Sequence, residues 1–475
     1  MSDLHPILQR VVDFYGPMRR PLLYPGLRGS PTATDLGTWL AEQVTASGIE
    51  LHSAAEAARA LRGTSGPGAM TAVLLYTELL RAGRILMTSG YSYPYLRAEW
   101  EALTKDLINH IQGMSTPGMG INELYDAAYT ACGDTRLATR VSTELGRVGP
   151  WGQLSATRGY GRAPSTRNVP GVILPCTVPV YHFLVHYGHN VRFQRPWVLI
   201  TDTNITLDQI ADLLGSAAQR GIPLMVFSRT PEPLLSRVIL ANVCDKRLDC
   251  MLFAIPLQDS ERRDWQEDMR RLTGARVFTP QSVPAQFTAE DVGELAALEV
   301  RGGVVIAEPQ ELLSDTDEYV VKLRKQLAGE SEDFHRERLQ RRLSMLAGRG
   351  CDFYSGGETP QESDLNYRVL ADTVHSTRSV QRGGRVPGAG HVFRVFSRDS
   401  HPSTPAARAF TYATSAPYRV LAGSRHGELL HDFVWDARKN RPVAARVSHI
   451  VDSTTALVTA VKTASASALT VLSTY

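Results

Sequence analysis

The sequence predicts a multidomain α+β protein. A mainly helical body is made from both ends of the chain, and an α/β module is inserted between them. Three observations predict this. Apolar residues recur with helical spacing before about residue 150 and again after about residue 331. Between residues 197 and 278, buried-type strands alternate with amphipathic helices. The change of character falls at "GPWGQLSATRGYGRAPSTRNVPG", a glycine-, proline- and arginine-rich stretch that reads as a hinge or boundary.

In order along the chain, residues 1–63 are mixed, with the turn-rich "YPGLRGSPTATDLG" at their centre. From Met70 to Ala82 the spacing of Val73, Leu74 and Leu80 predicts a helix, and Gly83 stands where a C-cap would. A second helix is expected from Tyr95 to Gln112, ended by Gly113, and two short ones over 121–147 around Gly133. After the boundary come "WVLIT" as a strand and "LDQIADLLGSAAQRG" as a helix stopped by Gly221. The strand "IPLMVF", helix "PLLSRVILANVC", strand "CMLFAIP", helix "DWQEDMRRLTG" and strand "ARVF" follow. This alternation predicts a parallel sheet with helices on its faces. "SEDFHRERLQRRLSMLAG" (331–348) is a long charged helix. Leu339, Leu343 and Leu346 share one face, Glu337 precedes Arg341 by four residues, and Gly348 is the expected stop. Helical and glycine-rich sequence then returns, and no short internal repeat is visible.

A chain of 475 residues exceeds one ordinary core, so two or three domains are expected. With 51 basic and 48 acidic residues the net charge is +3, which gives no electrostatic case for nucleic acid as a partner. Cys132, Cys176, Cys244, Cys250 and Cys351 are odd in number and scattered without a CxxC pair. Neither a disulfide framework nor a zinc site is expected, and a reducing compartment fits. "MSDLHPILQR" lacks the pattern of a signal peptide. The most apolar stretch, "TTALVTAVKTASASALTVL", is interrupted by Lys462 and by Ser/Thr, and reads as a packed helix rather than a membrane span. A cytoplasmic protein without a membrane partner is expected.

Several catalytic patterns are absent. No GxGxxG opens a helix, so no dinucleotide site is indicated. No GxSxG occurs, and "GSRHG" has its serine one place too early. His182, His186 and His189 are spaced by four and three. The surrounding "VPVYHFLVHYGHNV" reads as extended chain and turn, on which they do not converge, so surface histidines are expected there and no metal site. "TSGPGAMTAV" (64–73) is a glycine turn opening a helix, the pattern of a phosphate cradle, yet it has no carboxylate and no lysine.

Five stretches, in order around the inserted module, resemble the group I chaperonins, the GroEL type, from about residue 11 to about 455. "YGPMRRPLLY" is similar to the family's Leu-Gly-Pro-Lys-Gly-Arg-Asn strand and turn. "SGPGAMTAVLL" resembles its Gly-Asp-Gly-Thr-Thr-Thr-Ala phosphate loop, and "LGRVGPWGQL" its Lys-Val-Gly-Lys-Glu-Gly hinge. "DFHRERLQRRLSMLAG" resembles its long charged helix almost position by position. "LADTVHSTRSVQRGGRVPGAG" resembles its Glu-Asp-Ala-Leu-His-Ala-Thr-Arg run and the following triple glycine.

The resemblance implies the chaperonin fold: an equatorial domain of residues 1–115 and 383–475, an intermediate domain of 116–165 and 350–382, and an apical domain of 166–349. It also implies a homo-oligomeric ring that assists folding or assembly of other proteins with ATP and magnesium, and a co-chaperonin lid. By position, Tyr15, Gly16, Pro17, Gly66, Gly68, Thr71, Gly388, Gly390 and Asp436 would bind nucleotide, and Asp372 would be the catalytic carboxylate. Tyr181, Leu214 and Leu240 would hold clients, with Leu235, Ile239 and Phe183 nearby; Leu213 and Ile239 are expected in the core.

The departures are specific. Pro67 stands at the family's phosphate-loop aspartate and Leu36 at its second aspartate, with Asp35 one residue early. Ala69 and Met70 replace two of three loop threonines, the segment before Asp436 is short, and "SRTPEP" replaces an apical acidic pair. Hydrolysis of ATP needs a carboxylate-held metal, so these changes imply that it is weakened or lost. Two functions stay open: a ring chaperone linked to ATP, and a nucleotide-independent scaffold or accessory subunit of an ordinary chaperonin ring. An unrelated α/β enzyme has no catalytic constellation to support it.

Overall fold

Helices α1 (Pro6–Gln9) and α2 (Val11–Tyr15) open the chain, followed by the hairpin strands β1 (Leu22–Pro25) and β2 (Pro31–Thr34). The computed structural model describes residues 5–9, 11–15, 22–25, 31–34, 40, 48–64, 68–159, 161–178, 181–188, 190–301, 304–311, 313, 317–330, 332–347, 349–423, 433–436, 438–439, 441–445 and 448–475. Two compact units are formed. One is made of residues 1–150, 156–165 and 353–475, the other of 151–155 and 166–352.

The first unit continues with α3 (Ile49–Thr64), α4 (Ala69–Thr88), α5 (Tyr93–Gly113), α6 (Ile121–Cys132) and α7 (Thr135–Val148). The expected stop of α4 at Gly83 is a correction: the helix runs through it to Thr88. Gly83 is there because a neighbouring helix is close. A Cβ at this position would stand 2.3 Å from Cδ1 of the buried Leu472. Helix α5 begins two residues earlier than expected, and Gly133 does separate α6 from α7, in the left-handed conformation at φ 72°.

Strands β3 (Gln153–Thr157) and β4 (Ser165–Pro170) lie at the crossing, and the inserted unit follows. Its elements are β5 (Val172–Leu174), α8 (Tyr181–Tyr187), β6 (Asn190–Gln194), β7 (Trp197–Thr201), α9 (Leu207–Arg220), β8 (Leu224–Ser228), α10 (Pro233–Cys244), β9 (Cys250–Ala254), α11 (Asp259–Thr273), β10 (Val277–Phe278), β11 (Gly293–Glu294), β12 (Ala297–Arg301), β13 (Val304–Glu308), α12 (Glu318–Gly329), α13 (Asp333–Leu346) and β14 (Arg349–Tyr354). Strands β7, β8 and β9 pair in parallel, with β10 parallel and β11 antiparallel on the free edge of β7. Every residue of β7 and β8 is buried, as expected for a parallel sheet covered on both faces. Ile210, Leu213 and Ala217 of α9 and Leu235, Ile239 and Val243 of α10 are buried in the same core, and Phe227 stacks on Phe253 at 4.7 Å.

A second, antiparallel sheet has the order β5–β13–β12–β6. The charged helix α13 buries Leu343 and Leu346. It is tied to α11 by Arg342, which donates to both oxygens of Asp268 at 2.8 and 2.9 Å. Gly348 lies outside the described residues. Sequence 181–187, expected to be extended, is the helix α8: Phe183 on it is fully buried and needs one inward-facing side. His182 and His186 are thus one helical turn apart, and His189 lies outside the described residues. Among the described residues, no three His, Cys, Asp or Glu side chains gather as metal ligands.

The first unit is completed by α14 (Pro360–Gly383), β15 (Arg385–Pro387), α15 (His391–Asp399), α16 (Pro405–Thr414), α17 (Ala416–Ala422), the hairpin β16 (Phe433–Asp436) and β17 (Arg441–Ala444), β18 (Val451–Ser453) and α18 (Thr454–Leu472). Helix α18 is long and apolar enough to cross a membrane by composition, but it is a core helix of this unit. Ala456, Ala460, Ala464 and Ala468 form its buried ridge, and these small side chains let it approach α3 and α4 closely. Three side chains of α14 finish the C-terminus of α7, where carbonyls lack helical partners. Gln381 Nε2 donates to Leu145 O at 3.1 Å, Arg382 Nε to Pro150 O at 2.8 Å, and the Arg378 guanidinium to Gly149 O. Two cations at that end also complement the helix dipole.

Candidate functional site

Gly68 precedes α4 with φ 107° and ψ −3°, a conformation that favours glycine, and its carbonyl accepts from Ala72 N at 2.9 Å. Gly66, Pro67, Gly16, Pro17, Leu36 and Asp35 lie outside the described residues. Of the loop hydroxyls, Thr71 remains, in the first turn of α4. Tyr15, the last residue of α2, brings its phenol oxygen to 3.3 Å from Thr71 Oγ1. Two residues predicted for nucleotide are therefore in contact, although 56 positions apart in sequence. Tyr15 and Met70 both pack against the main core of this unit.

Of the predicted glycines, Gly68 and Gly388 lie near the start of α18. A Cβ on Gly68 would lie 3.7 Å from Ala456 Cβ, at the start of α18. Gly388 donates its N–H to Ile450 O at 2.9 Å, four residues before that helix begins. Gly390, at φ 71°, precedes α15, and a Cβ there would meet Tyr418 N at 2.4 Å. Asp436 ends β16 and is buried. Its Oδ1 accepts from the backbone N–H of Arg438 and of Lys439, both at 3.1 Å, so the side chain closes its own hairpin turn. Asp372 stands on the exposed face of α14, as does His375.

The predicted client positions separate. Leu214 and Leu240 are half-buried and packed against the core of the inserted unit. Leu235, Ile239 and Phe183, expected near the client surface, are core residues at 1 %, 1 % and 0 % exposure, a correction for Leu235 and Phe183. Tyr181 opens α8; its side chain lies outside the described residues. Two residues that sequence reasoning missed stand in solvent: Leu234 on α10 at 56 % and Val185 on α8 at 61 % exposure. These two helices touch one another. The signal was present. Leu235, Ile239 and Val243 form an unbroken i, i+4, i+8 ridge, which must face the sheet and turns Leu234 outward. Leu240 has no such continuation, since Ser236 and Cys244 flank it.

The fold is the chaperonin fold. The chain matches no known protein-family profile. Among solved structures it is similar to the chaperonin gp146 from the bacteriophage EL 2 (Pseudomonas aeruginosa), crystallised in the presence of ATP-BeFx. For crystal form I the TM-score is 0.71 at 16 % identity, covering 100 % of this chain and 97 % of that one. For crystal form II it is 0.64 at 16 % identity, covering 99 % and 96 %. A group III chaperonin in the open state matches with a TM-score of 0.63 at 17 % identity, covering 98 % and 95 %.

Proposed function

We propose that this chain is the subunit of a ring-forming chaperone of the group I type, which holds unfolded or assembling proteins and hydrolyses ATP weakly or not at all. In this reading residues 1–115 and 383–475 form the equatorial domain, 116–165 and 350–382 the intermediate domain, and 166–349 the apical domain. The observation that carries the client reading is the pair Leu234 and Val185, two large apolar side chains left in water on touching helices of the inserted unit. Exposed apolar surface of this kind binds other chains without demanding a sequence. Leu214 and Leu240 border the core and would contribute less than position alone implied.

The nucleotide reading rests on Tyr15, Gly68 and Thr71 at the start of α4, with Gly388 and Gly390 nearby. ATP would place its phosphates at the positive end of that helix. Magnesium has weaker support. Pro67 offers no ligand where the resembled family has a carboxylate, and Asp372 would have to act with fewer partners. Loss of hydrolysis follows from that shortage of carboxylates.

The test is client capture. Fully burying a leucine or valine gains about 1.5–3 kcal/mol, and each of these is already partly covered, so roughly 1 kcal/mol is available from each. The double variant Leu234→Ser, Val185→Ser is expected to bind a chemically denatured model protein about tenfold or more weakly, read as lost suppression of its aggregation, with an unchanged thermal midpoint. Equal capture by variant and parent would sink the client reading.

A further inference from the structure

We infer that Tyr15 is a positioning residue for the Thr71 hydroxyl, aiming it at a nucleotide phosphate; this rests on the nucleotide reading above. The family resembled by "YGPMRRPLLY" has an apolar leucine where this chain has Tyr15, so the phenol is a feature of this sequence. Its partner is the one threonine kept among the three threonine positions of the resembled loop, Ala69 and Met70 standing at the other two.

A threonine within a helix has a strong local alternative. Its hydroxyl folds back to the carbonyl one turn earlier. Thr77, six residues along the same helix, does this, donating to Val73 O at 2.7 Å; Thr411 and Thr414 do the same in α16. Among the described residues the partner of Thr71 Oγ1 is the Tyr15 phenol at 3.3 Å; the carbonyl one turn earlier, that of Pro67, lies outside them. Of the two groups a phenol is the stronger donor. When Tyr15 donates to Thr71 Oγ1, the Thr71 proton is directed away from that contact and is more acidic through hydrogen-bond cooperativity. A donor of that kind, at the positive end of a 20-residue helix, suits a phosphate oxygen. It also acts without a metal, which matters in a loop that lacks the carboxylate to hold one. Tyr15 itself is anchored: α2 buries Val11 fully and packs on α4 and α17.

The experiment is a double-mutant cycle on the full chain with Tyr15→Phe, Thr71→Val and both, titrated calorimetrically with ATP and separately with adenosine. Tyr15→Phe is expected to weaken ATP about threefold to tenfold, the range of one hydrogen bond, and to leave adenosine unchanged. Thr71→Val should do the same, and the double variant should be no weaker than Thr71→Val alone. Thr71→Ser keeps the hydroxyl and should retain ATP affinity, a control that does not depend on the phenylalanine variant folding well. Unchanged or tighter ATP binding by Tyr15→Phe, additive losses, or an equal loss for adenosine would overturn the positioning role alone. If the parent protein fails to bind ATP at millimolar concentration, the nucleotide reading falls first and this inference falls with it.

Discussion

Replacing Gly83 by alanine tests how the helical unit is packed, and its sign can be worked out. In an open helix, Gly→Ala stabilises by about 1 kcal/mol, because glycine loses more backbone freedom on folding. Here the added methyl would stand 2.3 Å from Leu472 Cδ1 and 3.0 Å from Cδ2, where ordinary contact begins near 3.4 Å. Leu472 is fully buried in the core shared by α3, α4 and α18, so it has to move by about 1 Å within packed surroundings. Overpacking of this kind costs about 1–3 kcal/mol, which at least offsets the helix gain. Gly83→Ala is therefore expected to destabilise, by up to about 2 kcal/mol. In a Leu472→Ala background, itself about 2–5 kcal/mol less stable, the same change meets a void and should stabilise by about 1 kcal/mol. The assay is the thermal or denaturant midpoint of the four proteins in the cycle, followed by far-ultraviolet circular dichroism. A gain in stability from Gly83→Ala in the parent would refute the close approach of α4 and α18.

Two further outcomes follow. Glu50 is held by the Arg84 guanidinium, by His5 N at 3.0 Å and by Tyr475 OH at 3.4 Å. Burial alone would raise its pKa, but these partners outweigh burial and hold it below the ordinary glutamate value. A carboxyl depressed on folding contributes stability above its unfolded pKa and loses it as pH falls through the folded one. Glu50→Gln should therefore lower the midpoint at pH 7 by an amount worth about 1 kcal/mol, and the difference should shrink as pH falls below the ordinary glutamate value of about 4.3 and through the lower folded one; a constant difference across pH in urea titrations contradicts the clasp. For the carboxylate proposed as catalytic, magnesium-dependent ATP turnover by the parent should be far below that of an ordinary chaperonin. Robust turnover abolished by Asp372→Ala would reverse the reading that hydrolysis is weakened.

Much of this architecture was legible because its signals are periodic. The buried strands 197–201, 224–228 and 250–254 and the amphipathic helices between them are set by burial on two faces, which leaves a plain mark in sequence. What was misread depended on neighbours distant in the chain. Gly83 looks like a helix stop until Leu472, 389 positions later, is placed against it. Residues 181–187 look extended because a seven-residue helix rich in aromatic residues gives little periodic signal, and only the burial of Phe183 fixes it. Leu240 rested on position in a family pattern, whereas the buried ridge Leu235–Ile239–Val243 turns Leu234 outward. The contact of Tyr15 with Thr71 was beyond reach, since two hydroxyls in separate helices carry no sequence sign of their distance.

The glycines that suggested a nucleotide site are weaker witnesses than they looked, and the reason is steric. A side chain at Gly390 would strike Tyr418 N at 2.4 Å, and one at Gly388 would meet the backbone of Ile450 and Val451 at 3.0–3.1 Å. Both positions are closed to larger residues by packing within this unit, whether or not a nucleotide ever binds. Asp436 is similar: its carboxylate already serves two backbone N–H groups of its own turn. The fold therefore keeps these residues on structural grounds. Discriminating weight falls on the groups that packing does not require. Among the described residues, the hydroxyl of Thr71 has the Tyr15 phenol as its partner. Packing does not require the Thr71 hydroxyl, so Thr71→Val separates chaperone from scaffold better than any glycine substitution.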